Sequence, residues 1–399
     1  MKNYRRTRRA IQRFAVVPLL ALCLGAAGPQ AGGERSVVAF GADPTGSRDS
    51  APAFRAAIAS DQKIIVPPGT YLFASTQTAP CCAFDRPAVL VQGLSNFEID
   101  GHDAIIKIAD NIAFSSAFQF DQDKNFVVRG LTIQGTRTGL SAKQENVGIT
   151  ASSDMDFTIE DIRFAGNFGG VGAAVAGDWM VNGTFRRLRM DAVGHCFDVA
   201  YLKHVRVDSV RAQGTDQNGN HGPGQVGQTC FSIIVDPPNA ANNKTGVAFN
   251  QTDWVEVTGL DESNFDTGGL IETGTHYRFS GNTWHDNPGH GSAAGLGLFI
   301  RYNPATSTGA PPRDISIADH FANNGAAVAG YGVLISSAGI SNDDTISRIT
   351  VSGSQFDHTG KVAVGSDSPR HLSDIVVRGA AVGQNLRSIA KADHRADSR

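Results

Sequence analysis

The chain has 399 residues and a formal net charge of −3, with 45 glycines set against 41% apolar residues. That composition predicts many short strands and turns rather than long helices. The negative charge, which deepens once the six basic residues of the N-terminus are set aside, argues against a general nucleic-acid or anionic-membrane surface.

The first element is a leader. Lys2, Arg5, Arg6, Arg8, Arg9 and Arg13 form a basic region, Phe14 to Leu24 is apolar, and Gly25, Ala26, Ala27 and Ala31 are small. This three-part layout predicts a signal peptide over 1–31, and its apolar core is too short to span a membrane. The expected protein is secreted or periplasmic and has no membrane contact once the leader is gone. Removing those six basic residues takes the formal charge from −3 to −9, which leaves room only for a local basic cleft. Cys81, Cys82, Cys196 and Cys230 lie beyond the leader at spacings that match no zinc pattern. In an oxidising compartment Cys196 and Cys230 are the first choice for a bridge, since both fall on proposed neighbouring strands; two free buried thiols are the alternative.

Next comes Phe40 to Tyr71, read as a strand end, a glycine-punctuated turn, a short helix and an apolar strand stopped by Pro67-Pro68-Gly69. Asp49 or Ser50 is the expected N-cap, with Pro52 in the first turn and Phe54, Ala57 and Ile58 on one face. A unit of this size suits the plugging of one end of a long, open core. The stretch closely resembles the N-terminal cap of the pectate-lyase-like superfamily of right-handed parallel β-helices. That resemblance implies an all-β, single-stranded right-handed parallel β-helix with a short N-terminal capping helix, in a superfamily whose members mostly cut polysaccharides.

Internal repetition supports a solenoid independently. Short alternating strands recur at Asn96–Gly101, Asn125–Gly135, Asp156–Gly166, Thr184–Met190, His204–Val210, Asp253–Val257, His276–Gly281, Asp314–Ala318, Ser347–Val351 and Ser373–Arg378. Most are about 20–40 residues apart, as expected for one coil of a solenoid that hides its apolar side by stacking on the next. A second set interleaves at Gly172–Val175, Gly194–Tyr201, Cys230–Asp236, Gly269–Thr273, Gly297–Asn303 and Gly332–Ser336. The expected organisation is a β-helix over 35–385 and a polar tail over 386–399. Long polar loops at 213–228, 237–252 and 304–312 are expected to wall a groove.

Laid under one another, the second set predicts an outward polar column of Asp198, Asp236, Glu272 and Arg301. Carboxylates two rungs apart would stand about 9–10 Å from each other, near the upper range for the acid and base of an inverting glycosidase. His195, Tyr201, His221, His276, His290, Tyr302 and Trp254 are expected to bind substrate, with Trp284 a further ring suited to a sugar face. Gly289-His290-Gly291 followed by Ile300-Arg301-Tyr302 resembles the histidine and Arg-Ile-Lys signatures of polygalacturonase-type hydrolases. Tyr302 replaces the lysine, and the family's Asn-Thr-Asp and Asp-Asp signatures are not recognisable.

The leading expectation is a glycoside hydrolase that needs no cofactor and takes a polysaccharide as its partner. A polysaccharide lyase would instead use Tyr201, His221 and Arg301 on a uronate polymer, with Asp198 and Asp236 free to hold calcium. A third expectation, from another class, is a non-catalytic carbohydrate-binding or surface β-helix.

Overall fold

The computed structural model describes residues 33–58, 62–79, 86–110, 112, 115–136, 146–216, 218–221, 225–233, 243–249, 251–289, 295–302, 304, 309–325, 330–337, 340, 344–358, 362–368 and 370–379. Every strand pairing within them is parallel. They sort into three sheets, here A, B and C, which the chain visits in turn. Sheet A carries the registers Phe97–Phe126–Phe157, Val205–Val255–Tyr277–Ile315 and onward to Ile375. Sheet B follows a sharp corner, and sheet C holds Val89–Gln92, Ser116–Asp121, Val147–Ser152, Gly227–Ile233, Phe265–Ile271, Leu296–Arg301, Tyr331–Ser336 and Val362–Ser368. The continuous element Phe168–Gly214 supplies the middle coils by running through all three sheets.

This is the expected parallel β-helix, with one difference of detail. The first strand set corresponds to sheet A and the second to sheet C. Sheet B was hidden inside the first set, because a corner of one or two residues splits Asn125–Gly135 and Asp156–Gly166 between two sheets. Left-handed backbone marks that corner on successive coils, at Gly130 (φ 68), Asp161 (φ 54), Arg187 (φ 52) and Ser209 (φ 56). A single residue in this conformation turns the chain abruptly, so the two strands read as one run.

Inside, phenylalanines stack from coil to coil. Phe97, Phe126 and Phe157 lie nearly parallel at 5.0 and 5.4 Å, and Phe185, Phe197, Phe231 and Phe279 continue the spine edge to face. The N-terminal end is closed by helix α1 (Ala51–Ala57), which buries Ala51, Ala53, Phe54 and Ala57. Phe54 meets Tyr71, Phe73 and Phe118, so the helix completes a core that a first coil would otherwise leave open. Ser50 occupies the N-cap position without a side-chain cap. The Asp49 carboxylate accepts from the Ala51 N–H at 3.1 Å instead, and Ile58 lies just past the helix, half-buried.

Cys196 and Cys230 are bonded, with their Cα atoms 4.4 Å apart on adjacent coils of sheet C. Of the two readings of these thiols, the bridge is the one the fold adopts. It closes a segment of 34 residues. The double replacement Cys196→Ala/Cys230→Ala is therefore expected to lower stability by about 3–4 kcal/mol. Thermal denaturation checks this, and an unchanged Tm would show that the bridge constrains nothing. Cys81 and Cys82 lie outside the described residues.

Candidate functional site

Register decides which of the sequence-predicted residues meet. Val199, Ile233, Ile271 and Ile300 form one buried column across sheet C. Asp198 stands one residue before that column, while Glu272 and Arg301 stand one residue after it. The expected single ladder of Asp198, Asp236, Glu272 and Arg301 is thus corrected: Asp198 aligns with Ser232, Leu270, Phe299 and Leu334. Two coils along the axis and two residues along the strand put the Asp198 and Glu272 backbones about 12 Å apart, wider than the roughly 9–10 Å of a straight column. Asp236 and His290 lie outside the described residues.

Glu272 and Arg301 do meet. The Arg301 Nε donates to Glu272 Oε1 at 2.6 Å from the next coil, and its Nη2 reaches the same oxygen. Glu272 is 5% exposed, whereas the Arg301 side chain is half-exposed and lies over the Phe299 ring. The pair sits where sheet C ends and the chain turns toward sheet A. Chemically it is a fixed carboxylate backed by a guanidinium that still faces solvent, suited to orienting a polar or anionic sugar substituent.

The remaining residues divide between roles. His195 is half-buried, and its Nδ1–H donates to the Thr229 carbonyl at 3.0 Å. His221 is exposed, with Nδ1 3.1 Å from the Gly214 carbonyl. Three of the rings proposed for sugar contact are buried. Tyr201 lies flat on Trp179 at 4.2 Å, in a small outer cluster with Ala200 against which Phe249 packs. Tyr302 donates its hydroxyl to the Gly309 carbonyl at 2.8 Å, and burial raises its pKa. Trp284 is wholly internal and donates its indole N–H to Asp319 at 2.9 Å. For Tyr302 and Trp284 the physical reason is shared: the amphipathic ring that suits a pyranose also suits an interior where its one polar atom is satisfied.

Trp254 and His276 are on another sheet from the Glu272–Arg301 pair. Trp254 is 53% exposed on sheet A, stacked on His276 at 4.7 Å and near-parallel to His204 at 6.2 Å. His276 Nδ1 is 2.8 Å from an Asp253 oxygen. A groove of about 420 Å³ runs over these residues and over Arg206, Glu256 and Arg278, which sequence reading did not single out. Strand alternation held the signal, since His204-Val-Arg206, Trp254-Val-Glu256 and His276-Tyr-Arg278 each place two outward side chains around one buried residue.

Acids with raised pKa values stand elsewhere, inside the coil. Burial pushes Asp123 up to about 7 and Asp154, Glu262 and Asp319 upward. Asp123 accepts the Leu94 N–H of the neighbouring coil and the Asp121 N–H of its own, Asp319 accepts the Asn282 N–H of the neighbouring coil, and Glu262 accepts from Asn287 at 2.7 Å. These carboxyls hold corners together. Glu262 gives a test of sign: its folded pKa lies above its unfolded value of about 4.3, so its stabilising contribution is complete below that pH and is lost as pH rises through the folded pKa. Glu262→Gln does not titrate, so its Tm is expected to gain on the parent chain between pH 4 and pH 8. A constant Tm difference across that range would contradict the assignment.

Among the described residues no group of three or more His, Cys, Asp or Glu could hold a metal ion, and no helix is long and apolar enough to cross a membrane.

The strand pairings and registers define a right-handed parallel β-helix. Comparison with solved structures agrees. An exopolygalacturonase from Thermotoga maritima superposes with a TM-score of 0.53 at 12% identity, over 87% of this chain and 92% of that one. The A-module of a mannuronan C-5 epimerase from Azotobacter vinelandii gives 0.51 at 15% identity over 88% and 96%. The tailspike of the Escherichia coli bacteriophage HK620, in complex with a pentasaccharide, gives 0.57 at 14% identity, over 86% of this chain and 60% of that one. No family model and no curated protein matches the sequence.

Proposed function

We propose that this chain is an exported polysaccharide-cleaving enzyme, a glycoside hydrolase whose working face is the outer surface of sheet C at its turn toward sheet A. The Glu272–Arg301 pair carries the reading, as a buried carboxylate held by a half-exposed guanidinium. The acid and base are drawn from Asp198, Asp236 and Glu272, one to protonate the leaving oxygen and one to activate water. Arg301 orients substrate. His195, His221 and His290 are proposed substrate contacts, and the leader at 1–31 directs export. Support comes from the solved structures of like fold, which include an exopolygalacturonase, an epimerase of a polysaccharide and a pentasaccharide-bound tailspike. Burial of Tyr201 under Trp179 weighs against the lyase that would use it as base.

The test is a set of polysaccharides incubated with the protein and read by reducing ends and by ultraviolet absorbance. New reducing ends without absorbance are expected. An absorbing, unsaturated product would replace this reading with elimination, and neither signal would replace it with a binding protein.

A further inference from the structure

The groove on sheet A lies on a different sheet from the Glu272–Arg301 pair, and its chemistry is different. One wall is a planar ladder of His204, Trp254 and His276 on successive coils, each in left-handed backbone at φ 55, 58 and 58. The same corner recurs at Asn125, Asp156 and Asp314 on other coils, so the conformation belongs to the fold; particular to this ladder is a Trp254 indole that stays open to water. Both faces of the indole have an imidazole beside them, so the ladder offers edges rather than an open ring face.

The other wall is Arg206, Glu256 and Arg278, again on successive coils. Each guanidinium Nε is 3.9 Å from the one carboxylate they share, and the arginine side chains are 54% and 69% exposed. Two cations divide one anion at long range. A second acid, Asp314, also lines the groove, where Arg348 and Thr275 hold it and its pKa falls to about 2, and Asp253 faces His276. The Arg206–Glu256–Arg278 wall, two guanidiniums to one carboxylate, is itself net positive, and Arg348 offsets Asp314 beside it, on a chain whose formal charge over 32–399 is −9. Guanidiniums with unfilled donors bind carboxylate or sulfate groups by paired, charge-assisted hydrogen bonds. A volume of about 420 Å³ is in the range of small-ligand sites, and its course across three to four coils gives about 10–15 Å of length.

We infer that this groove is a second, non-catalytic binding site for an acidic polysaccharide, laid along the stacking axis with its anionic groups on Arg206 and Arg278 and its ring edges against the Trp254 ladder. It holds polymer on sheet A and does not depend on whether sheet C cleaves by hydrolysis.

Electrophoresis through gels containing polygalacturonate, alginate or neutral dextran tests it without any need for turnover. The parent chain and Glu272→Ala are expected to be retarded at least fivefold more by an acidic polymer than by dextran. Arg206→Gln/Arg278→Gln is expected to lose that retardation while keeping the parent Tm, because neither side chain is buried. Unchanged retardation of the double variant, equal retardation by dextran, or loss of retardation in Glu272→Ala would each overturn the assignment, the last by moving the binding to sheet C. A hydrolase reading that failed would leave these mobilities as they are.

Discussion

Alanine at Asp198, Asp236 and Glu272, made one at a time, is expected to separate two essential acids from one dispensable one. A general acid or base contributes about 10²–10⁴-fold, so two of the variants should lose turnover on that scale while the third stays within a few-fold of the parent. The triple variant should have no turnover and an intact fold. Stability should behave in the opposite sense at the ion pair. Glu272→Ala leaves Arg301 half-exposed and hydrated, at little cost. Arg301→Ala leaves a carboxylate that is 5% exposed without its cation, a loss of about 1–3 kcal/mol. Initial rates on the accepted polysaccharide and thermal denaturation of all five variants check both halves. Full activity in all three single acid variants would remove the chemistry from this face.

The architecture was legible because its signals are local. The stretch from Phe40 to Tyr71 shows a turn, a helix with Pro52 in its first turn and a Pro-Pro-Gly stop, and each alternating strand announces a face. The column was not legible, and the reason lies in the period of a strand. A period of two tells which face Asp198 and Glu272 share, but shifting one of them by two residues leaves every face unchanged. Only the pairing of Val199 with Ile233 and of Ile233 with Ile271 fixes the offset. Tyr201 and Tyr302 were misread for a different reason. Phe249 packs against the cluster that holds Tyr201, and the Gly309 carbonyl takes the Tyr302 hydroxyl, and both partners come from long loops whose course no periodicity encodes. Arg206 and Arg278 were readable in their strands, yet nothing in one strand shows that both would lean on Glu256.

Phe157→Ala is expected to be the most destabilising single change in the core. The ring is 2% exposed, 5.4 Å from Phe126 on one side and 5.4 Å from Phe185 on the other, and it pairs in register with a glycine, Gly183, which offers no side chain to fill the gap. Removing a buried phenylalanine costs about 3–5 kcal/mol when the surroundings cannot collapse. Each coil of a solenoid touches only its neighbours, so the damage should stay near the coils at 124–129 and 181–186 and leave the capped end at α1 intact. Denaturant melts would give the size of the loss, and limited proteolysis would give its place. Thr158→Ala, the outward neighbour on the same strand, should change stability by no more than about 0.5 kcal/mol. A loss of under about 1 kcal/mol for Phe157→Ala, or cleavage spread evenly along the chain, would mean that the phenylalanine spine does not carry the stacking of the coils.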